Sequence, residues 1–144
     1  MLVQVQPSPP NEIVRCSMKF HKDGTLPGPK EVFVFGSNLA GIHGAGAAKA
    51  ALGFGARMGH GVGAKGRTYA IPTKDVDIKT MLLDNIKPYI ERFKKVTLEY
   101  PHVKFFVTRV GCGLAGYKDK DIAPLFKGCG SNCSFPDQWK EFLT

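Results

Sequence analysis

The sequence predicts an α/β domain of three layers, with helices on both faces of a mixed, mostly parallel central sheet. Two observations carry this. Three short runs of β-forming apolar residues, at 31–35, 67–71 and 103–108, read as strands buried on both faces. Segments of helical character, at 43–52 and 83–99, fall between them, and strands that alternate with helices pair in parallel. With 144 residues, 43 % of them hydrophobic, the chain can build one core without disulfide or metal staples.

Taken in order, residues 1–10 form a loose, Pro-rich lead-in, and 11–144 read as a single domain. Glu12 to Phe20 alternates Ile13, Cys16 and Met18 with polar residues, as a first strand does. His21 to Lys30 carries Asp23-Gly24 and Pro27-Gly28-Pro29, which is turn chemistry. Glu31 to Phe35 is a core strand that ends at Gly36-Ser37-Asn38. His43 to Leu52, rich in alanine, is a helix that can lie close on a sheet. Gly53 to Gly66 reads as an exposed loop, and Arg67 to Ile71 as a second core strand stopped by Pro72.

Leu82, Ile86, Tyr89/Ile90, Phe93 and Val96 recur at helical intervals, so 83–99 is an amphipathic helix with Pro88 near its first turns. Val103 to Thr108 is the third core strand and runs into a second glycine loop, Gly111 to Tyr117. Asp121 is placed to cap a short helix, with Pro124 near its third position. Cys133 to Phe135 reads as a last strand and Asp137 to Phe142 as a terminal helical turn.

Composition excludes several classes. Charged residues at 22 % with this apolar share do not suit a disordered chain or a coiled coil. No apolar run approaches the roughly 20 residues of a membrane-spanning helix. Met1 to Pro10 lacks the basic-then-apolar order of a leader, so a cytoplasmic location is expected. Cys16, Cys112, Cys129 and Cys133 form no framework, and His21, His43, His60 and His102 are scattered, so reduced thiols, no metal and no cofactor are expected.

Glycine and positive charge gather in one place. Ten of the 17 glycines lie between Gly36 and Gly66. No acidic residue occurs between Glu31 and Asp75, where Lys49, Arg57, Lys65, Arg67 and Lys74 supply +5 of the net +8. Such a stretch suits an anion, because backbone N–H groups can approach it and no carboxylate repels it. The alternative is a basic loop that touches no ligand.

Two glycine loops, after Phe35 and after Thr108, sit at predicted strand ends, where α/β sheets collect ligands, and each leads into a helix. The spacing Gly41-x-x-Gly44-x-Gly46 is not the dinucleotide fingerprint, and no acidic residue follows about 20 residues on. No Gly-Lys-Ser/Thr is present either, which excludes the P-loop.

Three segments together carry a resemblance. Val32-Phe-Val-Phe-Gly-Ser-Asn38 with Gly41 to Gly46 and the alanine-rich helix, then Tyr69-Ala-Ile-Pro-Thr-Lys74, then Val110-Gly-Cys-Gly-Leu-Ala-Gly-Tyr117, follow the order of the macro-domain signature over residues 31–126. The chain resembles small macro-like proteins of bacteria and their viruses. The resemblance implies the macro-domain type of α/β/α fold and a ligand of the ADP-ribose class, free or attached to a protein. It implies that Gly36, Ser37, Asn38, Gly41, His43, Gly44, Ala45 and Gly46 form one wall of the site. Gly111, Cys112, Gly113, Leu114, Ala115, Gly116 and Tyr117 form the other, with Asn38 on the distal ribose.

The nearest resemblance is to the branch that removes ADP-ribose from proteins through a Lys–Asp pair. Lys74 matches its lysine, but Ala115 stands where its aspartate would be. Asn38, Lys74 and Asp119 are the candidate catalytic residues, with Asp75 and His43 as further proton carriers and Tyr117 or Phe54 as a stacking aromatic. Each has a plainer reading: Asn38 a turn former, Lys74 a solvated lysine, Asp119 a cap, Asp75 a turn residue, His43 a residue before a helix. Ala115 favours a non-catalytic, sequestering protein over a hydrolase. A nucleic-acid binder is another alternative, since the pI is about 9.4, but the other lysines are interleaved with carboxylates rather than gathered in a stripe. A partner-binding module of a larger complex is a third.

Overall fold

A computed structural model describes residues 19–144. The lead-in and most of the expected first strand lie outside the described residues. Six strands are seen: β1 Lys19–His21, β2 Glu31–Asn38, β3 Gly63–Lys65, β4 Thr68–Lys74, β5 Lys104–Val107 and β6 Cys133–Pro136. They form one sheet in the order β1-β6-β5-β2-β4-β3, in which only β3 runs antiparallel to its neighbour. The α-helices are α1 Gly46–Ala51, α2 Leu83–Glu99, α3 Asp119–Ile122 and α4 Lys140–Leu143. Short 3-10 turns cover Leu52–Phe54, Ala123–Phe126 and Asp137–Trp139.

The three apolar runs become β5, β2 and β4, side by side at the centre. Their side chains alternate between two cores. Phe33, Phe35, Ala70 and Phe106 face α1 with Ala48 and Ala51. Val34, Tyr69, Ile71, Phe105 and Val107 face α2 through Ile86, Ile90 and Phe93. Phe126, Phe135 and Trp139 extend this second core towards α3 and β6. Alanines on α1 let it lie close to the phenylalanines of β2, and the helical spacing of Ile86, Ile90, Phe93 and Thr97 buries one stripe of α2.

Several boundaries differ from expectation, each for a physical reason. β4 runs through Pro72 to Lys74, because β3 pairs only as far as Ala70 and no partner on that side needs the missing N–H. The glycine segment contains β3, a three-residue edge strand formed by pairing with β4 and carrying no apolar pattern of its own. α1 starts at Gly46 rather than His43, because the His43 ring is held by carbonyls of the 57–60 loop. Asp121 lies inside α3 and reaches back to accept from the Lys118 N–H at 3.2 Å, so Lys118 holds the N-cap position. Pro88 falls in the second turn of α2 on its exposed side, where a lost N–H costs least. Among the described residues no helix is long and apolar enough to cross a membrane.

The chain leaves β2 over the α1 face towards β4, then leaves β4 over the α2 face back to β5. Right-handed crossovers in opposite directions must use opposite faces. After β5 the chain also passes to the α2 face, where Ile122 and Phe126 join that core. The loops after β2 and β5 therefore part at adjacent strand ends, and a crevice opens between them.

Candidate functional site

A cleft of about 640 Å³ occupies that crevice, a volume typical of small-molecule sites. It is lined from four strand ends, those of β1, β2, β4 and β5. At the β1 side the walls are apolar and aromatic: His21, Leu26, Phe33, Phe106, Ala47 and Ala48. The His21 ring stacks on Phe106 with centroids 3.8 Å apart, and its Nδ1 lies 2.7 Å from Ser134 Oγ. At the β4 side stand Asn38, Ile42, Thr73, Lys74 and Ile78.

The two glycine loops lie between these ends. A Cβ on Gly36 would come within 3.2 Å of the Gly111 nitrogen, tighter than an ordinary contact, so glycine at 36 eases the close approach of the two loops. Among the described residues nothing accepts from the backbone N–H groups of Gly44, Gly46, Gly113, Leu114 or Ala115, all of which line the cleft. Two turns shape the second loop, with Gly116 N donating to Gly113 O at 3.0 Å and Tyr117 N to Gly111 O at 2.9 Å. From outside, Thr80 Oγ1 donates to Ala115 O at 2.9 Å and fixes its rim.

Of the residues expected in the site, Gly36, Ser37, Asn38, Gly44, Ala45, Gly46, Lys74, Gly111, Gly113, Leu114 and Ala115 line the cleft. Asn38 spends its amide locally: Nδ2 donates to Ile42 O at 2.7 Å and Oδ1 accepts from Ile42 N at 2.9 Å. It thus shapes the loop that forms the wall. The Ser37 hydroxyl donates to Gly61 O.

The others sit behind the walls. Gly41 packs against Gly59, and Gly116 turns the second loop with a positive φ. His43 is fully buried against Phe35, its Nε2 shared between Arg57 O at 2.9 Å and His60 O at 3.1 Å. The Tyr117 hydroxyl donates to Met81 O. Phe54 packs on Phe33 beneath Arg67. Burial pushes the Cys112 thiol up to about 12, so it offers no thiolate near neutrality.

No protein-family profile, curated protein or solved structure matches this chain. The site is therefore read from its own chemistry.

That chemistry leaves the expected acids unavailable to Lys74, and the carboxylate that does line the cleft, Asp23, faces Arg109. Asp119 lies outside the cleft lining, bound to Arg109 by Nε at 2.9 Å and Nη2 at 2.9 Å, and to Trp139 Nε1 at 2.8 Å. Burial alone would raise the Asp119 pKa, but the hydrogen bonds from Arg109 and Trp139 outweigh it and hold the carboxyl below its usual range. Asp75 closes its own turn, with Oδ1 accepting from Asp77 N at 2.8 Å and Lys79 N at 3.0 Å. Ala115 lines the cleft together with Lys74.

Sequence reasoning missed His21, Asp23, Leu26, Phe106 and Arg109 as cleft residues. Their signal is weak, since they come from segments about 80 positions apart. An arginine directly between a core strand and a glycine loop was the one available hint.

Proposed function

We propose that the cleft binds an ADP-ribose-like nucleotide, free or carried on a protein, and holds it without hydrolysing it. The supporting observation is the meeting of two glycine loops at one crevice, with N–H groups that have no protein acceptor among the described residues. A diphosphate supplies acceptors for such groups, exchanging their hydrogen bonds to water for charge-assisted ones. The aromatic end suits a base, and the Lys74 end a distal ribose.

Retention without turnover rests on the state of the carboxylates. A lysine that attacks an opened ribose must be partly neutral and needs a partner to move its proton. Asp119 and Asp75 are committed elsewhere, Asp23 faces Arg109 on the β1 side of the cleft, and position 115 is alanine. The reading also puts the protein in the cytoplasm, where Cys112, Cys129 and Cys133 stay reduced.

Thermal denaturation with ADP-ribose tests the reading. Ligand at 100 times its dissociation constant adds about 2.7 kcal/mol of stability. An unmoved melting temperature at millimolar ADP-ribose contradicts it.

A further inference from the structure

We propose that Arg109 reads a phosphate on the base-bearing ribose, so that the cleft prefers a 2′-phosphorylated ADP-ribose-like nucleotide. Asp23 is the counter-ion that this phosphate displaces. The proposal rests on the nucleotide-binding reading above and adds the ligand's chemical class.

Arg109 lines the cleft two residues beyond β5, and its guanidinium is held from behind. Of its five N–H donors, Nε–H and one on Nη2 go to Asp119, each at 2.9 Å. Asp119 is itself fixed by Trp139, which is fully buried. A planar cation is thus locked in place by the core, with three N–H groups left to give.

The occupant of that free edge is weakly held. Nη1 faces Asp23 Oδ2 at 3.6 Å, an ion-pair distance too long for a hydrogen bond. The Asp23 side chain is 40 % exposed on the β1–β2 loop, so water screens the pair. A phosphate brings more charge and can take two parallel N–H bonds from the fork, which is the stronger arrangement.

Position selects which phosphate. Asp23 follows His21 by two residues, and His21 stacks on Phe106 at the aromatic end. A base on that wall puts its own ribose near Arg109, while the diphosphate lies on the glycine loops and the distal ribose towards Lys74. In dinucleotide sites, an acidic side chain at this ribose accepts from an unmodified 2′-hydroxyl, whereas an arginine accommodates a 2′-phosphate. Both groups are present here, and the arginine is the one anchored to the core.

Isothermal titration at fixed ionic strength, with ADP-ribose and 2′-phospho-ADP-ribose, decides the matter. Wild-type protein should bind the phosphorylated nucleotide about tenfold tighter or more. Asp23→Asn, a surface change that leaves the Asp119 pair alone, should widen that ratio, and Arg109→Gln should bring it near one. Because Arg109→Gln strips a partner from Asp119 and can unfold the protein, the wild-type and Asp23→Asn ratios carry the decision. Equal or weaker binding of the 2′-phosphate, or a ratio untouched by Asp23→Asn, overturns the proposal. If neither nucleotide binds, the nucleotide reading fails first and this proposal with it, an outcome distinct from loss of the preference alone.

Discussion

Arg109 grips Asp119 at two points, Nε to Oδ1 and Nη2 to Oδ2, both at 2.9 Å, behind the wall of the cleft. A carboxylate so engaged neither takes a proton from Lys74 nor gives one to a leaving group. On this account wild-type protein releases no ADP-ribose from ADP-ribosylated proteins. Ala115→Asp, which sets a carboxylate in the cleft beside Lys74, should create slow release. Release by wild type at rates unaffected by Lys74→Ala would show a water-based hydrolase instead.

Trp139 is fully buried, and its indole N–H donates to Asp119 at 2.8 Å. Trp139→Phe removes a hydrogen bond to a charged group and leaves space in the core. The expected loss is about 2–4 kcal/mol in urea denaturation. A loss well under 1 kcal/mol would mean that Arg109 alone holds the carboxylate.

Gly61 and Gly113 should behave in opposite ways. A Cβ on Gly61 would run into the Asn38 carbonyl, a backbone atom in the wall of the cleft, so Gly61→Ala should cost about 3 kcal/mol of stability. A Cβ on Gly113 would meet nothing within 4 Å, and Gly113→Val should fold normally. Circular dichroism melts of the two variants check this pair, and similar melting temperatures would contradict it.

Burial is the main influence lowering the His21 pKa from its usual 6.5, against smaller upward pulls from the Val107 backbone and from Glu31, Asp137 and Asp23. The folded protein therefore binds this proton less readily than the unfolded chain. Stability from His21 is fully present above pH 6.5 and is lost as the pH falls through the lower, folded value. Urea midpoints should decline on acidification from pH 7 to 5, more in wild type than in His21→Phe. Parallel declines would show that His21 is not the group responsible.

The core was legible because burial on both faces writes uninterrupted apolar runs, as at Val32 to Phe35 and Phe105 to Val107. The glycine loops were legible because strand ends and glycines coincide at Gly36 and Gly111. β3 was not, since Gly63 to Lys65 owes its strand to β4 and to nothing in its own composition. The Arg109–Asp23 pair was not legible either, because it joins distant segments through topology alone. Asn38 and Asp119 stood out as polar residues beside the loops, but only the folded chain shows their hydrogen bonds turned inward, to Ile42 and to Arg109 with Trp139.

The central claim is that the two glycine loops bind a nucleotide through their backbone N–H groups. Isothermal titration of ADP-ribose into wild-type protein and Gly113→Val tests it most directly. Saturable one-to-one binding by wild type, abolished in a Gly113→Val protein with an unchanged melting temperature, is the expected result. Equal affinity in both proteins, or no heat with either, would contradict it.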